Sequence, residues 1–360
     1  MKDAPLLNLV LSLILVLVVG YFLVVGRSIL VPIVTSVISV YLMVSATDAL
    51  KGLPLLRHMP TPVLRICVLT VFAAVVYVFA VVVAATVRDI AAVAPIYQQN
   101  IEDLLGRVET RFDVDTREIF TDAVAVTFGQ LNLRATILSV LGSFTIVGMS
   151  IFLIVVYAGF LMAEREGFAA KISAAFTDGE TAERTKTIVA HINRQIGEYL
   201  TVKTLINIIL GAICLVILLV FGADFAFFWA IVIALLNYIP YVGSLLAVAF
   251  PVALSLAQTG SLWHTAGLAA FLITAQVTVG NWLEPRMIGR QMNLSPFVVL
   301  VALSVWSALW GVPGAILAVP MTAMITIVLG AFASTRFVAV LLADRIDTPD
   351  LTEPHDPRLP

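Results

Sequence analysis

IVIALLNYIPYVGSLLAVAF, residues 231–250, decides how this chain must be read. The run is apolar at both ends, yet Asn237, Tyr238, Pro240, Tyr241, Gly243 and Ser244 stand in its middle. Proline removes a backbone donor and blocks the carbonyl four residues back. Glycine admits turn geometry closed to other residues. A helix does not run straight through such a stretch. A second stretch behaves alike: in VALSVWSALWGVPGAILAVPMTAM, residues 301–324, Trp310-Gly311-Val312-Pro313-Gly314 interrupts another apolar run. The expectation is two helix–break–helix units, 225–257 with its tip at 239–243 and 296–333 with its tip at 310–314.

The rest of the chain sets the solvent. Apolar residues make up 61% and charged residues 12%, against about 45–50% and 25% in ordinary soluble domains. That balance leaves no water-soluble surface, so the chain is expected to be an integral membrane protein. Uncharged runs of about 20 residues match a hydrocarbon core of roughly 30 Å. Continuous rather than alternating apolar runs choose helices over a barrel. The N-terminal MKDAPLLNLVLSLILVLVVGYFLVV reads as an uncleaved first span, because a secretory signal has a shorter apolar core and a small-residue cleavage site.

Full-length candidates are 6–25, 29–46, 63–87, 138–162, 203–221 and 262–283, with shorter pieces at 225–239, 243–257 and 296–310. A final run, 314–333, is interrupted by Pro320. These divide the chain into a three-span bundle (1–87), an outer extramembrane helical segment (88–137), a fourth span (138–163) and an amphipathic cytoplasmic segment (164–202). A transport core (203–335) and a disordered cytoplasmic tail (336–360) follow. Ile101, Leu104, Leu105, Val108 and Phe112 give the first polar segment its helical spacing. Ile188, Ile192, Ile196 and Tyr199 give the second an apolar face, with Lys186, Arg194 and Glu198 elsewhere. Placing Arg27, Arg88, Arg107, Arg111, Arg117 and Arg134 outside leaves the other lysines and arginines inside, so both termini are expected in the cytoplasm. On this topology the two hairpins open from opposite sides.

Paired Gly/Pro-interrupted segments in opposed orientation point to a transporter's midplane site. Irregular backbone at that depth is tolerated where it is buried in protein or lines a wet cavity. The freed amide and carbonyl groups there can bind a solute or ion. The alternative is a pair of proline kinks held by neighbouring helices, with no ligand. As a binding set, Asn237, Tyr238, Tyr241 and Ser244 would offer polar groups, while Pro240, Gly243, Gly311, Pro313 and Gly314 would shape the breaks. Between the hairpins, Gln276, Gly280 and Glu284 recur every four residues on one helical face, with Asn281 on an adjacent line. Intramembrane polar groups ordinarily face a bundle interior or a pathway. Glu284 has two readings: a helix-end residue paired with Arg286 or Arg290, or a coupling or gating group alongside Arg286. Asp48 and Asp224 read as span-end charges.

Other chemistries lack their residues. No G-x-x-x-x-G-K-[ST] loop cradles a nucleotide, and His58, His191, His264 and His355 are scattered. No catalytic arrangement, metal site or cofactor is expected. Cys67 and Cys214 sit inside apolar runs and read as packing residues. A net charge of −2 gives no basic field for nucleic acid.

LLNYIPYVGS (235–244), EPRMIGRQMNLSP (284–296) and WGVPGAILAVPMTA (310–323), in this order, resemble the autoinducer-2 exporter family, the PerM-like permeases of the bacterial inner membrane. IGEYLTVKTLIN (196–207) matches more weakly. The resemblance covers most of the chain. It departs at Ser244, where the family often has proline, and at TVKT (201–204), where a Gly-Gln-like turn is usual. The resemblance implies an all-α polytopic membrane protein of about eight spans, two of them the opposed broken hairpins, with amphipathic extramembrane helices and homo-oligomeric assembly. It implies transport: some members are linked to export of the signal autoinducer-2, others to sodium/proton antiport. Three readings follow. The chain is a secondary transporter exporting a small polar solute, a cation/proton antiporter moving Na+ or H+, or an oligomeric membrane scaffold.

Overall fold

With almost no polar side chains to spare, the backbone must satisfy its own N–H and C=O groups, and helices do this within one segment. The computed structural model describes residues 5–54, 56–112, 133–176, 179–288, 293–332 and 334–344, and no strand occurs among them. The order is α1 (Pro5–Val25), α2 (Arg27–Gly52), α3 (Thr61–Phe112), α4 (Leu133–Ala175), α5 (Gly179–Val220), α6 (Ala226–Leu236), α7 (Val242–Thr259) and α8 (Leu262–Thr278). A wide π-turn (Val279–Leu283), α9 (Glu284–Ile288), α10 (Pro296–Ala331) and α11 (Arg336–Leu342) complete it. Among the described residues, 7 helices are long and apolar enough to cross a membrane, and Leu13–Val25 and Ala226–Leu236 are shorter apolar pieces. The protein is an all-α polytopic membrane protein.

The helices form two compact units, each assembled from separated parts of the chain. The first comprises Met1–Arg65, Ile154–Thr201 and Arg290–Pro360. There Tyr41 donates to Asn193 at 2.9 Å and Thr201 to the Ser45 hydroxyl at 2.7 Å, tying α2 to the first half of α5. The second unit comprises Ile66–Leu153 and Val202–Gly289. Its core is a stripe on α5, Ile206, Leu210, Cys214 and Leu218, every fourth residue and each fully buried. Ala226 and Ile233 of α6, Ala247 of α7, and Leu268, Leu272 and Ala275 of α8 pack against that stripe. Helices α5 and α8 run antiparallel, with Phe221 against His264 and Phe271 at one end and Lys203 against Glu284 at the other.

Several boundaries differ from the sequence reading. The outer segment at 88–137 does not begin as a separate helix, because α3 continues unbroken from its span to Phe112. Residues 113–132 lie outside the described residues. The segment 164–202 is the end of α4 and the start of α5 rather than an element of its own. Extending a formed helix is far easier than nucleating a new one. The tail does not begin at 336: α11 covers Arg336–Leu342, Ala339 is buried, and the Ser295 N–H donates to the Leu342 carbonyl at 3.1 Å. The rest of the tail, 345–360, lies outside the described residues.

Candidate functional site

The first hairpin turns earlier than its glycine suggested. Helix α6 ends at Leu236, and the reversal is made by residues 237–241, with Val242 and Gly243 already helical. Its last bonds tighten: Tyr238 N–H donates to the Leu235 carbonyl at 3.2 Å and Ile239 N–H to that of Leu236 at 2.8 Å. Pro240 then stops the helix. Tyr241 adopts φ 60°, ψ −59°, and the Val242 N–H donates across it to the Pro240 carbonyl at 2.6 Å. This is the rare γ-turn of positive φ, strained for a residue carrying a side chain. Ser244 donates to the Tyr241 carbonyl at 2.8 Å and so is spent on the turn itself. Gly243 serves proximity instead of reversal: a Cβ there would land on the Leu236 carbonyl oxygen.

The second hairpin reverses at one residue. Gly311 has φ 66°, ψ −141°, a region essentially reserved for glycine. Val312, Pro313 and Gly314 are helical again, with proline in the first turn of the returning arm, where its missing N–H costs nothing. Trp306 donates to the Thr322 hydroxyl at 3.1 Å. On a straight helix those residues would stand about 24 Å apart, so the arms lie side by side. Gly314, like Gly243, presses on a carbonyl of the opposing arm, that of Trp306. Trp310 donates at 3.0 Å to the Leu23 carbonyl at the end of α1. Gly311, Val312 and Pro313 are exposed and bring no polar side chain to the tip.

The first tip does bring polar groups, and α5 meets them. Asn237 donates its amide to the Asn207 side-chain oxygen at 2.8 Å. The Tyr238 and Thr204 hydroxyls share a 2.6 Å hydrogen bond. One residue before Thr204, Lys203 reaches Glu284 at 2.5 Å, with side chains 7% and 26% exposed. Lys203, Thr204 and Asn207 therefore form a polar node on one stretch of α5, facing the hairpin tip and the start of α9. Tyr241 points away from it, 58% exposed.

The stripe following α8 is rearranged by the π-turn. Gln276 is buried, whereas Gly280 and Asn281 are exposed, because the wide turn shifts every later residue around the axis. Glu284 pairs neither with Arg286 nor as a lone helix-end charge. The Arg286 guanidinium lies over the Trp282 ring at 3.8 Å, and Arg290 lies outside the described residues. Lys203, Thr204 and Asn207 were not among the residues expected from sequence. Their signal was a Lys-Thr-x-x-Asn run at the start of an apolar span, of which Lys203 and Thr204 fall in the quartet that departs from the family resemblance. Among the described residues, no group of His, Cys, Asp and Glu is placed to hold a metal ion.

A family profile described as AI-2E family transporter matches residues 10–334. The AI-2 transport protein TqsA of Escherichia coli K12 is 33% identical over 68% of this chain and 68% of its own length. A candidate transport protein of Borreliella burgdorferi is 30% identical over 69% of this chain and 67% of its own. A sodium-lithium/proton antiporter of Halobacillus andaensis is 28% identical over 46% of this chain and 47% of its own.

Proposed function

Since the chain belongs to the AI-2E family of transporters, we propose that it is a secondary transporter exporting a small polar solute such as autoinducer-2 across the bacterial cytoplasmic membrane. One observation carries the reading: a broken hairpin delivers Asn237 and Tyr238 onto Asn207 and Thr204 of a membrane span. Polar side chains in such a setting mark a pathway more often than a packing surface. In this reading both termini are cytoplasmic, the two hairpins open from opposite sides, and the copies assemble as a homo-oligomer. Glu284 and Arg286 serve coupling or gating; Pro240, Tyr241 and Gly243 set the first tip; Gly311, Pro313 and Gly314 shape the second break; Gln276 and Asn281 offer polar groups to the solute. Uptake of labelled autoinducer-2 into inverted vesicles tests it. We expect Asn237→Ala to slow uptake about tenfold, the loss of roughly one hydrogen bond to a charged or strongly polar partner. Uptake that is unchanged in Asn237→Ala and in Gly311→Leu counts against the site.

A cation/proton antiporter is the second reading, favoured by one observation: Glu284 is a carboxylate held at the edge of an apolar span by Lys203. A sodium gradient that drives protons through proteoliposomes, with the flux lost in Glu284→Gln, selects it over solute export.

A further inference from the structure

Six buried polar atoms of the second unit lack a hydrogen-bond partner among the described residues, on Asn207, Trp229, Ser255, His264, Thr265 and Gln276, and two of them are side-chain amide nitrogens. Asn207 on α5 is 2% exposed and Gln276 on α8 is 9% exposed. Asn207 gives its oxygen to Asn237, while its amide nitrogen faces the Tyr238 hydroxyl without closing a hydrogen bond. The Gln276 amide nitrogen also has no partner among the described residues. Buried amides are bonded in the great majority of folds, and each exception calls for a cause. The two amides stand on helices that pack in one core. Lys203 pairs with Glu284 and Phe221 packs on His264, which fixes the antiparallel register of α5 and α8. That register sets Gln276 level with Gly211, one helical turn from Asn207, or about 6 Å along the axis.

We propose that Asn207 and Gln276 form the inner wall of a solute site that Asn237 and Tyr238 close from the tip, and that the site takes a solute rich in hydrogen-bond acceptors. Hydroxyl, carbonyl or oxyanion oxygens all fit this description. The inference deepens the transport reading and rests on it. The uncommitted atoms are N–H donors, and Lys203 adds an ammonium one turn from Asn207. Donors attract oxygen and repel a bare cation, and sodium, like other hard cations, requires oxygen ligands. The node is therefore a seat for the solute and not for the coupling ion. A bound solute satisfies the two amides and competes with Asn237 for Asn207, so loading the site loosens the tip. The tip's side chains bond to α5 through Asn237 and Tyr238.

The test uses the full chain in proteoliposomes with labelled autoinducer-2 as the neutral arm, inorganic phosphate as the oxyanion arm and sodium as the cation arm. It adds thermal melts of each variant in detergent. Gln276→Met keeps the side chain's length and removes the bare amide. We expect it to melt at or above the wild-type temperature and to exchange solute at no more than one-tenth of the wild-type rate. Asn207→Leu should lose exchange similarly. Whichever of the two solute arms moves identifies the source of the oxygens. A lower melting temperature for Gln276→Met means the amide is bonded within the fold, and overturns the proposal. Wild-type solute exchange that persists within twofold in both variants overturns the site and leaves transport standing. Sodium flux without solute exchange overturns the site and selects the antiport reading. A wild-type protein that moves no probe overturns the transport reading, and the site falls with it.

Discussion

Lys203 and Glu284 show how much one contact can settle and how little it reveals beforehand. Taking two charges out of water costs nearly what their attraction returns, so a buried pair is weak evidence of stability. Removing one partner is different, because the other charge is stranded. We expect Lys203→Met to destabilise the fold by about 3 kcal/mol and the double variant Lys203→Met/Glu284→Gln to recover to within about 1 kcal/mol of wild type. Denaturation in mild detergent measures both. If the carboxylate gates or couples transport, the double variant folds but stays defective in flux; if the pair is structural only, flux returns with stability. Glu284 was legible in the sequence as a charge beside an apolar run. Its partner was not, since Lys203 stands 81 residues away and counted simply as an inner basic residue. Proline and glycine announce their local physics, whereas a pairing across helices exists only once the helices have packed.

The same contrast holds for the hairpins. Both breaks were readable from Gly and Pro, but the tips moved because a glycine has two uses. Gly311 turns the chain, while Gly243 and Gly314 let opposing arms approach to carbonyl contact. Spacing alone does not separate these. The π-turn at Val279–Leu283 was illegible too: nothing in VGNWL forbids an ordinary helix, and its effect appears only in which side chains face the core. Strain divides the two tips. Tyr241 at φ 60° carries a side chain where glycine would rest without penalty. Tyr241→Gly should therefore raise stability by about 1–2 kcal/mol, read as a higher melting temperature. Gly311→Ala should lower it by about 1–3 kcal/mol, since its φ and ψ suit glycine alone. A Tyr241→Gly variant that melts lower would mean the tyrosine ring contributes more than its turn costs. Should Tyr241→Gly instead melt higher and transport more slowly, the stored strain helps release the tip.

At the scale of the whole chain, composition named the solvent correctly because apolar excess is a bulk property that no packing detail can reverse. The two units were invisible for an equally plain reason. Their boundaries at 65/66, 153/154 and 201/202 cut through α3, α4 and α5, where no linker composition marks a border. Within the second unit, the part of α3 beyond its Thr61–Ile90 span clamps the loops at the open end of the first hairpin. Tyr97 donates to Asp224 at 2.6 Å, and Asn100 donates to the Ala257 and Gln258 carbonyls at 3.1 and 2.8 Å. Gln258 in turn donates to the Gly222 carbonyl and accepts from the Asp224 N–H. Burial pushes the Tyr97 phenol above its ordinary value, and the hydrogen bond and charge of Asp224 push the same way. The folded state therefore holds that proton more tightly than the unfolded chain. Its contribution is whole below about pH 10, the unfolded value, and drains away as pH rises towards the raised folded value. Tyr97→Phe should cost about 1 kcal/mol at neutral pH and should lose less stability than wild type on going above pH 10. Melts of both proteins across pH 8 to 11 (a range set about that unfolded value) decide it: parallel curves would mean the phenol and Asp224 do not hold the clamp. Asn100→Ala, which touches no titrating group, should lower the melting temperature by a similar amount at every pH and leave the alkaline slope as it was.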